Sequence, residues 1–236
     1  MARPLRIQYP GAYYHVTCRG NARKKIFFDS LDQKIFLKKL SLSLEVYNVS
    51  LLGYVCMPNH FHLLLTTPEG NLSEFMRHFN ISYTSFFNRR HERVGHLYQG
   101  RYKAFLIEAD NYLLKVSRYI HLNPVRMKAY SEKSFKEKWE GLLEYGRSSL
   151  LGYLSVRGRE DFVNYRMVLN YMGGDNHKGR QSYRRFILEG IKEGIDYSAV
   201  SQARKRFRLR LEKEPKLKRR FKKISDQLHQ VSRRKI

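Results

Sequence analysis

The chain has few cysteines and no long apolar run, and each shortage argues against a class of protein. Its 236 residues include two cysteines, Cys18 and Cys56, and neither belongs to a Cys-x-x-Cys motif. Two thiols are too few for a disulfide framework, so we expect reduced thiols in a cytoplasm of bacterial type. No apolar stretch is long enough to span a bilayer, and the start Met-Ala-Arg-Pro lacks the apolar region of a secretory signal.

Acidic residues are also scarce. The chain has 21 Asp and Glu against 46 Lys and Arg, which gives a formal charge of +25 and a pI near 10.2. An excess of this size indicates a polyanion partner, with nucleic acid first and an anionic membrane surface as the alternative. Aromatic residues make up 14% of the chain, and aromatics interleaved with basic residues suit the stacking of unpaired bases beside phosphate contacts.

The nonapeptide Met57-Pro-Asn-His-Phe-His-Leu-Leu-Leu65 contains the first candidate site. Successive side chains of a strand alternate between faces, so His60 and His62 point the same way and Phe61 points the other. Two imidazoles on one face, beside a Pro-Asn turn, resemble half of a divalent-metal site. The alternative is a pair of ordinary polar residues on the solvent face of a half-buried strand, because His-x-His alone is a weak motif.

Residues 110–125 contain the second candidate site. Their apolar positions predict an amphipathic helix capped by Asp110, and Pro124 disfavours a helical conformation at the residue before it. Tyr119 and Asn123 lie four residues apart and therefore on one helix face. If this helix packs over the histidine strand, a phenol, an amide oxygen and two imidazoles converge. The alternative assignments are a tyrosine at the core edge and an ordinary residue at the helix end.

Hydrophobic periodicity predicts an α+β fold. The predicted strands are 12–18, 49–57, 60–66 and 101–109; the predicted helices run from Asp29 or Ser30 to about 47, from 72 to 90 after an Asn71 cap, and from 110. The order is that of a ferredoxin-like β-α-β-β-α-β antiparallel sheet with helices on one face, followed by a catalytic helix. Short helices are predicted at 159–172 and 181–190, and a basic helical C-terminal extension follows.

Taken together, the two candidate segments resemble the HUH single-tyrosine transposases, which are IS200-like, and most of all their REP-associated tyrosine transposase branch. His60-Phe-His62 and the later Tyr119-Ile-His-Leu-Asn123-Pro-Val carry the resemblance. The stretches 14–21, 95–103 and 139–149 support it, so that it covers roughly residues 8–155.

The resemblance implies a set of functional residues. His60, His62 and Asn123 would hold Mg²⁺ or Mn²⁺, and Tyr119 would be the nucleophile that forms a 5′-phosphotyrosine on single-stranded or hairpin DNA of REP type. Mn²⁺ suits the mixed nitrogen and oxygen ligands, whereas cellular abundance favours Mg²⁺. His121 has no counterpart in this set, and we interpret it as structural or DNA-contacting.

Basic and amide residues that flank the candidate elements are the expected DNA contacts: Arg19, Asn21, Arg23, Lys24, Arg101, Lys103, Arg118 and Arg126. We expect a catalytic domain at 8–130, a helical extension at 131–195 and a basic helical DNA-binding arm at 196–236. Residues 201–236 hold fifteen Lys and Arg against three acidic residues. Part of this arm resembles the recognition helix of a helix-turn-helix whose scaffold helices are missing or shortened.

Three other functions remain open from the sequence. The chain could be a non-catalytic DNA-binding regulator that retains the fold, a replication or plasmid-mobilisation nickase, or a regulator that acts through the arm. The intact His-x-His and Tyr-x-x-x-Asn set favours the enzyme over a pure binder. We expect a cytoplasmic, nucleoid-associated protein that acts as a monomer or homodimer without a small-molecule substrate; the recognised DNA sequence stays open.

Overall fold

The computed structural model describes residues 7–107 and 111–193. Tyr9–Ile195 form one compact unit, which therefore includes both the expected catalytic domain and the expected helical extension. The predicted Asp110 cap and the predicted basic arm lie outside the described residues. No helix in the described ranges has the length and apolar character needed to cross a membrane.

Four antiparallel strands form the sheet. They are β1 (Ala12–Arg19), β2 (Ser50–Met57), β3 (His60–Thr67) and β4 (Lys103–Ile107), in the order β2-β3-β1-β4. This is the predicted ferredoxin-like arrangement. In the register of β1 with β3, Thr17 lies opposite His62 and Arg19 lies opposite His60, so the central pair of strands carries the histidine motif.

Seven α-helices are present in the described ranges: α1 (Ser30–Val46), α2 (Leu72–Arg90), α3 (Asn111–Leu122), α4 (Phe135–Glu144), α5 (Leu150–Leu154), α6 (Tyr165–Leu169) and α7 (His177–Lys192). Asp29 caps α1, because its carboxylate accepts a hydrogen bond from the Asp32 backbone amide at 3.0 Å. Asn71 occupies the N-cap position of α2, but its amide donates to the Tyr47 carbonyl instead of capping the helix. The helix predicted at 159–172 shortens to α6 between two 3₁₀ turns, and the one predicted at 181–190 begins four residues earlier.

Helices cover both faces of the sheet: α1 and α2 lie on one face, as expected for the ferredoxin-like core, and α3 lies on the other. On one face Phe61 packs against Phe36 of α1 and Phe79 of α2, with ring centroids 5.1 and 5.9 Å apart. On the other face the His62 ring contacts Tyr119 of α3. Every residue of β2 from Leu51 to Met57 is buried, which requires a helical layer on each side.

Helix α3 is fixed to the helices that follow it. Gly190 of α7 lies so close to α3 that a Cβ atom there would come within 2.7 Å of Leu122 Cδ1 and 2.8 Å of Arg118 Cδ. The stacked rings of Tyr153 and Tyr183, 4.6 Å apart, join α5 to α7 in the same layer. The 131–193 segment therefore forms the outer support of the helix that carries Tyr119.

Candidate active site

The two motif histidines lie together at the start of β3, on the face covered by α3. Their ring centroids are 5.0 Å apart. His60 Nδ1 lies 2.7 Å from Asn59 Oδ1, and Asn59 Nδ2 donates to the Arg23 carbonyl at 3.1 Å. Because the Asn59 oxygen can only accept, His60 must donate from Nδ1, and its Nε2 lone pair remains for a metal.

A third histidine, which the sequence interpretation did not assign to the site, lies beside His62. His15 of β1 is 2% exposed, and its Nε2 is 2.8 Å from His62 Nδ1. The two rings are nearly parallel, with centroids 5.0 Å apart. The sequence contained one indication that His15 belongs to the site. Strand alternation places His15 on the same face of β1 as Thr17, the residue opposite His62.

Tyr119 of α3 lies against these rings. Its ring centroid is 5.7 Å from that of His62 and 5.6 Å from that of His15, in edge-to-face geometry in both cases. Asn123, one turn later, donates from Nδ2 to the Tyr119 carbonyl at 2.8 Å and to the Ile120 carbonyl at 3.4 Å. The carbonyls at the helix end thus hold the amide nitrogen of Asn123, so only its carboxamide oxygen could serve as a metal ligand.

The electrostatic environment keeps the imidazoles neutral. Burial, together with the charge of Arg19, lowers the pKa of His60 to about 4. Burial lowers the pKa of His62 well below its usual value, and the neighbouring His15, His60, Arg126 and Arg19 act in the same direction. Neutral imidazole is the form that ligates metals, so the site needs no proton release from these rings at neutral pH.

The donor set fits a divalent ion. Two imidazole nitrogens and one carboxamide oxygen would be a mixed ligand set, which suits Mn²⁺ better than Mg²⁺ because Mg²⁺ prefers oxygen ligands. Within residues 7–107 and 111–193 no cluster of three or more His, Cys, Asp or Glu has the arrangement of a metal site. Cys18 and Cys56 are buried and form no disulfide among the described residues, and neither belongs to this donor set.

Arg126 covers the tyrosine. Its guanidinium carbon lies 4.2 Å from the Tyr119 ring centroid, which is a cation–π contact. Arg126 belongs to the 3₁₀ turn Asn123–Arg126, which directly follows α3. A positive charge is therefore held against the face of the proposed nucleophile.

Six of the predicted DNA contacts lie on exposed positions near the histidine end of the sheet: Arg19, Asn21, Arg23, Lys24, Arg101 and Lys103. Backbone hydrogen bonds join their two segments, because Asn21 N donates to the Leu97 carbonyl and Gln99 N to the Arg19 carbonyl, each at 2.8 Å. These side chains form a basic rim, and Arg19 links the rim to the site through its position opposite His60.

Two residues for which the sequence suggested DNA contacts, Arg118 and His121, point away from the site. Arg118 forms an ion pair with Glu193 at 3.0 Å and covers the Phe186 ring of α7 at 4.3 Å. His121 is fully buried, with Nδ1 2.7 Å from the Tyr183 hydroxyl and Nε2 2.9 Å from Ser149 Oγ. Of its two expected roles, the geometry favours the structural one.

Comparisons with known proteins agree with this architecture. Residues 8–123 match the family model described as Transposase IS200 like. The fold is similar to that of a REP-associated tyrosine transposase solved with a REP hairpin, at 16% identity and a TM-score of 0.53, covering 75% of this chain and 98% of that one. A structure described as a putative transposase from Deinococcus radiodurans aligns at 17% identity and a TM-score of 0.37, covering 50% of this chain and 95% of that one. No curated protein sequence matches the chain.

The matched segment contains the whole sheet, both motif histidines, Tyr119 and Asn123. Through residues 8–123, the chain therefore belongs to the IS200-like transposase family.

Proposed function

We propose that this transposase cuts and rejoins single-stranded DNA, with Tyr119 as the nucleophile and with a divalent metal held by His60, His62 and Asn123. The observation that carries the proposal is the packing of the Tyr119 ring against His62, with centroids 5.7 Å apart, on one face of the sheet. A phenol beside a set of metal ligands is the arrangement needed for nucleophilic attack at a phosphodiester.

The proposed reaction exchanges one phosphorus–oxygen bond for another. The Tyr119 oxygen attacks phosphorus, the bond to the 3′-oxygen breaks, and that oxygen takes a proton to become a free 3′-hydroxyl. The phenol proton goes to solvent, and the DNA remains joined to the protein as a 5′-phosphotyrosine. Because the new bond is again a phosphodiester, rejoining needs no nucleotide cofactor.

A free phenol has a pKa near 10, so Tyr119 needs nearby positive charge to react at neutral pH. A bound divalent ion would supply such charge and would neutralise a non-bridging phosphate oxygen. Arg126 adds positive charge from the protein itself, since its guanidinium carbon lies 4.2 Å from the centroid of the Tyr119 ring.

The basic rim supports a DNA substrate. Phosphates attract Lys and Arg without regard to sequence, and the exposed side chains of Arg19, Arg101 and Lys103 stand beside the proposed site. The target linkage must leave the base stack to reach Tyr119, which favours single strands and strands that flank a hairpin. Hairpin recognition is supported by the similar transposase fold that was solved with a REP hairpin.

The test is a search for the covalent adduct. The full chain is incubated with Mn²⁺ and a single strand that carries a palindrome from the region flanking its coding sequence, labelled at either end. A 5′-phosphotyrosine requires that the 3′-labelled fragment comigrate with protein on a denaturing gel and that the 5′-labelled fragment be released. The opposite labelling pattern would contradict the proposed chemistry.

The Tyr119→Phe variant should form no adduct and should keep its DNA affinity, because only the nucleophilic oxygen is removed. Tyr47→Phe is the matched control, since Tyr47 lies at the end of α1 and contacts His78 on the opposite face of the sheet. Cleavage by Tyr119→Phe would refute the assignment of the nucleophile. Binding without any adduct in Mn²⁺ or Mg²⁺ would instead favour the non-catalytic DNA-binding regulator.

A further inference from the structure

His15 is the buried polar residue closest to the proposed metal ligands that the proposed function leaves without a role. It projects from the middle of β1 and contacts three aromatic rings besides its hydrogen bond: His62, Phe105 and Tyr119, with centroids 5.0, 5.8 and 5.6 Å away. These contacts hold the ring in one orientation. Its Nε2 atom is aimed at His62 Nδ1 over 2.8 Å.

One proton lies between these two nitrogens. Which of the two nitrogens carries it decides whether His62 can bind a metal through Nε2. If His62 donates from Nδ1, its Nε2 carries a lone pair and can be a ligand. If His15 donates from Nε2, His62 accepts at Nδ1, carries its proton on Nε2 and presents a hydrogen atom where a metal would bind. The two arrangements use the same heavy-atom positions and differ only in tautomer.

The rest of the protein leaves both arrangements open. His15 Nδ1 is buried and has no hydrogen-bond partner among the described residues, so one polar atom of His15 lacks a protein partner in either case. His60 differs, because the Asn59 oxygen can only accept and fixes a single tautomer. Whether His62 Nε2 can bind a metal therefore depends on whether His15 of β1 accepts or donates this hydrogen bond.

We propose that His15 is a positioning residue, which accepts a hydrogen bond from His62 Nδ1–H and so holds the His62 Nε2 lone pair toward the metal. The inference rests on the proposed function, since it requires His62 to be a ligand. Such hydrogen bonds fix the ring orientation and the tautomer of metal-binding histidines, and their loss lowers metal affinity about 10- to 100-fold.

Two substitutions separate hydrogen bonding from packing. His15→Phe keeps a ring but has no acceptor, whereas His15→Gln places a carboxamide oxygen within reach of His62 Nδ1. Mn²⁺ binding to the full chain is measured by calorimetry. We expect His15→Phe to weaken Mn²⁺ binding about 10- to 100-fold and His15→Gln to restore most of the affinity.

Equal Mn²⁺ affinity in wild type and His15→Phe would overturn the positioning role and leave the metal site itself intact. Equal weakening by both variants would also overturn it, because packing alone would then explain the loss. Absence of Mn²⁺ binding by the wild type would overturn both this inference and the metal-dependent function. The outcomes of the two proposals are thereby distinguished.

A direct measurement avoids any variant that fails to fold. Long-range ¹H–¹⁵N correlation spectra of the wild-type imidazoles, recorded with saturating Mg²⁺, report which nitrogen of His62 carries the proton. We expect the proton on Nδ1. A proton on Nε2 of His62 under these conditions would refute the assignment.

Discussion

His121 should contribute to stability and not to metal binding, and the directions of its hydrogen bonds allow the effect to be estimated. Ser117 Oγ donates to the Leu114 carbonyl, so the Tyr183 hydroxyl must donate to Ser117 Oγ. His121 Nδ1–H must then donate to the Tyr183 oxygen, and the Ser149 hydroxyl donates to His121 Nε2. A single neutral tautomer thus connects α3 with α5 and α7.

The change to test is His121→Phe, which keeps a ring of similar size and removes both nitrogens. No donor is stranded by it, since Tyr183 still donates to Ser117 and the Ser149 hydroxyl can turn to the Tyr54 carbonyl at 3.3 Å. The cost is therefore that of two hydrogen bonds, about 1 kcal/mol each, or about 2 kcal/mol in total. With a urea m-value near 2 kcal/mol/M, the unfolding midpoint should fall by about 1 M.

The assay follows urea unfolding through the fluorescence of Trp139, the one tryptophan of the chain. His78→Phe is the matched control, because within the described residues His78 is hydrogen-bonded to Ser43 Oγ alone, on the opposite face of the sheet. Its loss should be about 1 kcal/mol or less. Mn²⁺ affinity should stay within about twofold of wild type for His121→Phe, since both His121 nitrogens are used inside the protein.

An unchanged midpoint in His121→Phe would refute the estimated contribution of the network. A tenfold fall in Mn²⁺ affinity with unchanged stability would refute the structural role, because it would place His121 among the metal ligands. Weaker DNA binding without loss of stability would support the DNA-contacting alternative that the sequence left open.

Further predictions concern pH, a buried ion pair and the basic rim. Burial lowers the pKa of His121 from 6.5 in the unfolded chain to about 3 in the folded chain. Below pH 6.5 the unfolded state therefore binds more protons than the folded state, and the free energy of unfolding falls as the pH is lowered. Between pH 6 and 4 the free energy of unfolding of His121→Phe should fall less steeply than that of wild type, by about 1.4 kcal/mol per pH unit. Equal slopes for the two proteins in urea titrations would contradict this prediction. Asp32→Asn should cost about 1.5–3 kcal/mol in the same titrations, because the fully buried Asp32 carboxylate loses its charged hydrogen bond from Arg90 while Arg90 keeps its ion pair with Asp29; a loss below about 0.5 kcal/mol would show that the pair adds little. Lys103→Gln should lower the salt dependence of single-stranded DNA affinity by about 0.7 in log–log slope, whereas Lys38→Gln on α1 should leave it unchanged; equal slopes for the two variants would remove Lys103 from the DNA footprint.

Local pattern was sufficient for the four strands, for α1 to α3 and for one part of the site, whereas α4 and α5 were not predicted. The two-residue repeat of strands put His60 and His62 on one face, and the helical repeat put Tyr119 and Asn123 one turn apart. Both repeats follow from the backbone geometry of neighbouring residues. The boundaries of β2 and β3 accordingly lie within about one residue of their predicted positions.

The sequence left it open whether α3 covers the second face of the sheet, although a signal for that layer was present. The run Leu51–Met57 is almost continuously apolar, which is typical of a strand buried on both faces and not on one. The second layer brings α3 over the histidines and makes the site possible. The same layer separates neighbours in sequence, since Arg118 lies beside α7 while Tyr119 faces His62.

The sequence by itself determined the strands, the first three helices, the transposase family and the identity of the candidate ligands and nucleophile. Only the tertiary structure decided that His15, 47 residues from His62, is its hydrogen-bond partner, that Arg126 covers the Tyr119 ring, and that His121 is a structural residue. The physical reason is that residue periodicity is set by local backbone geometry. Partners across strands and layers are set by register and by the packing of one particular helix face, which no local pattern encodes.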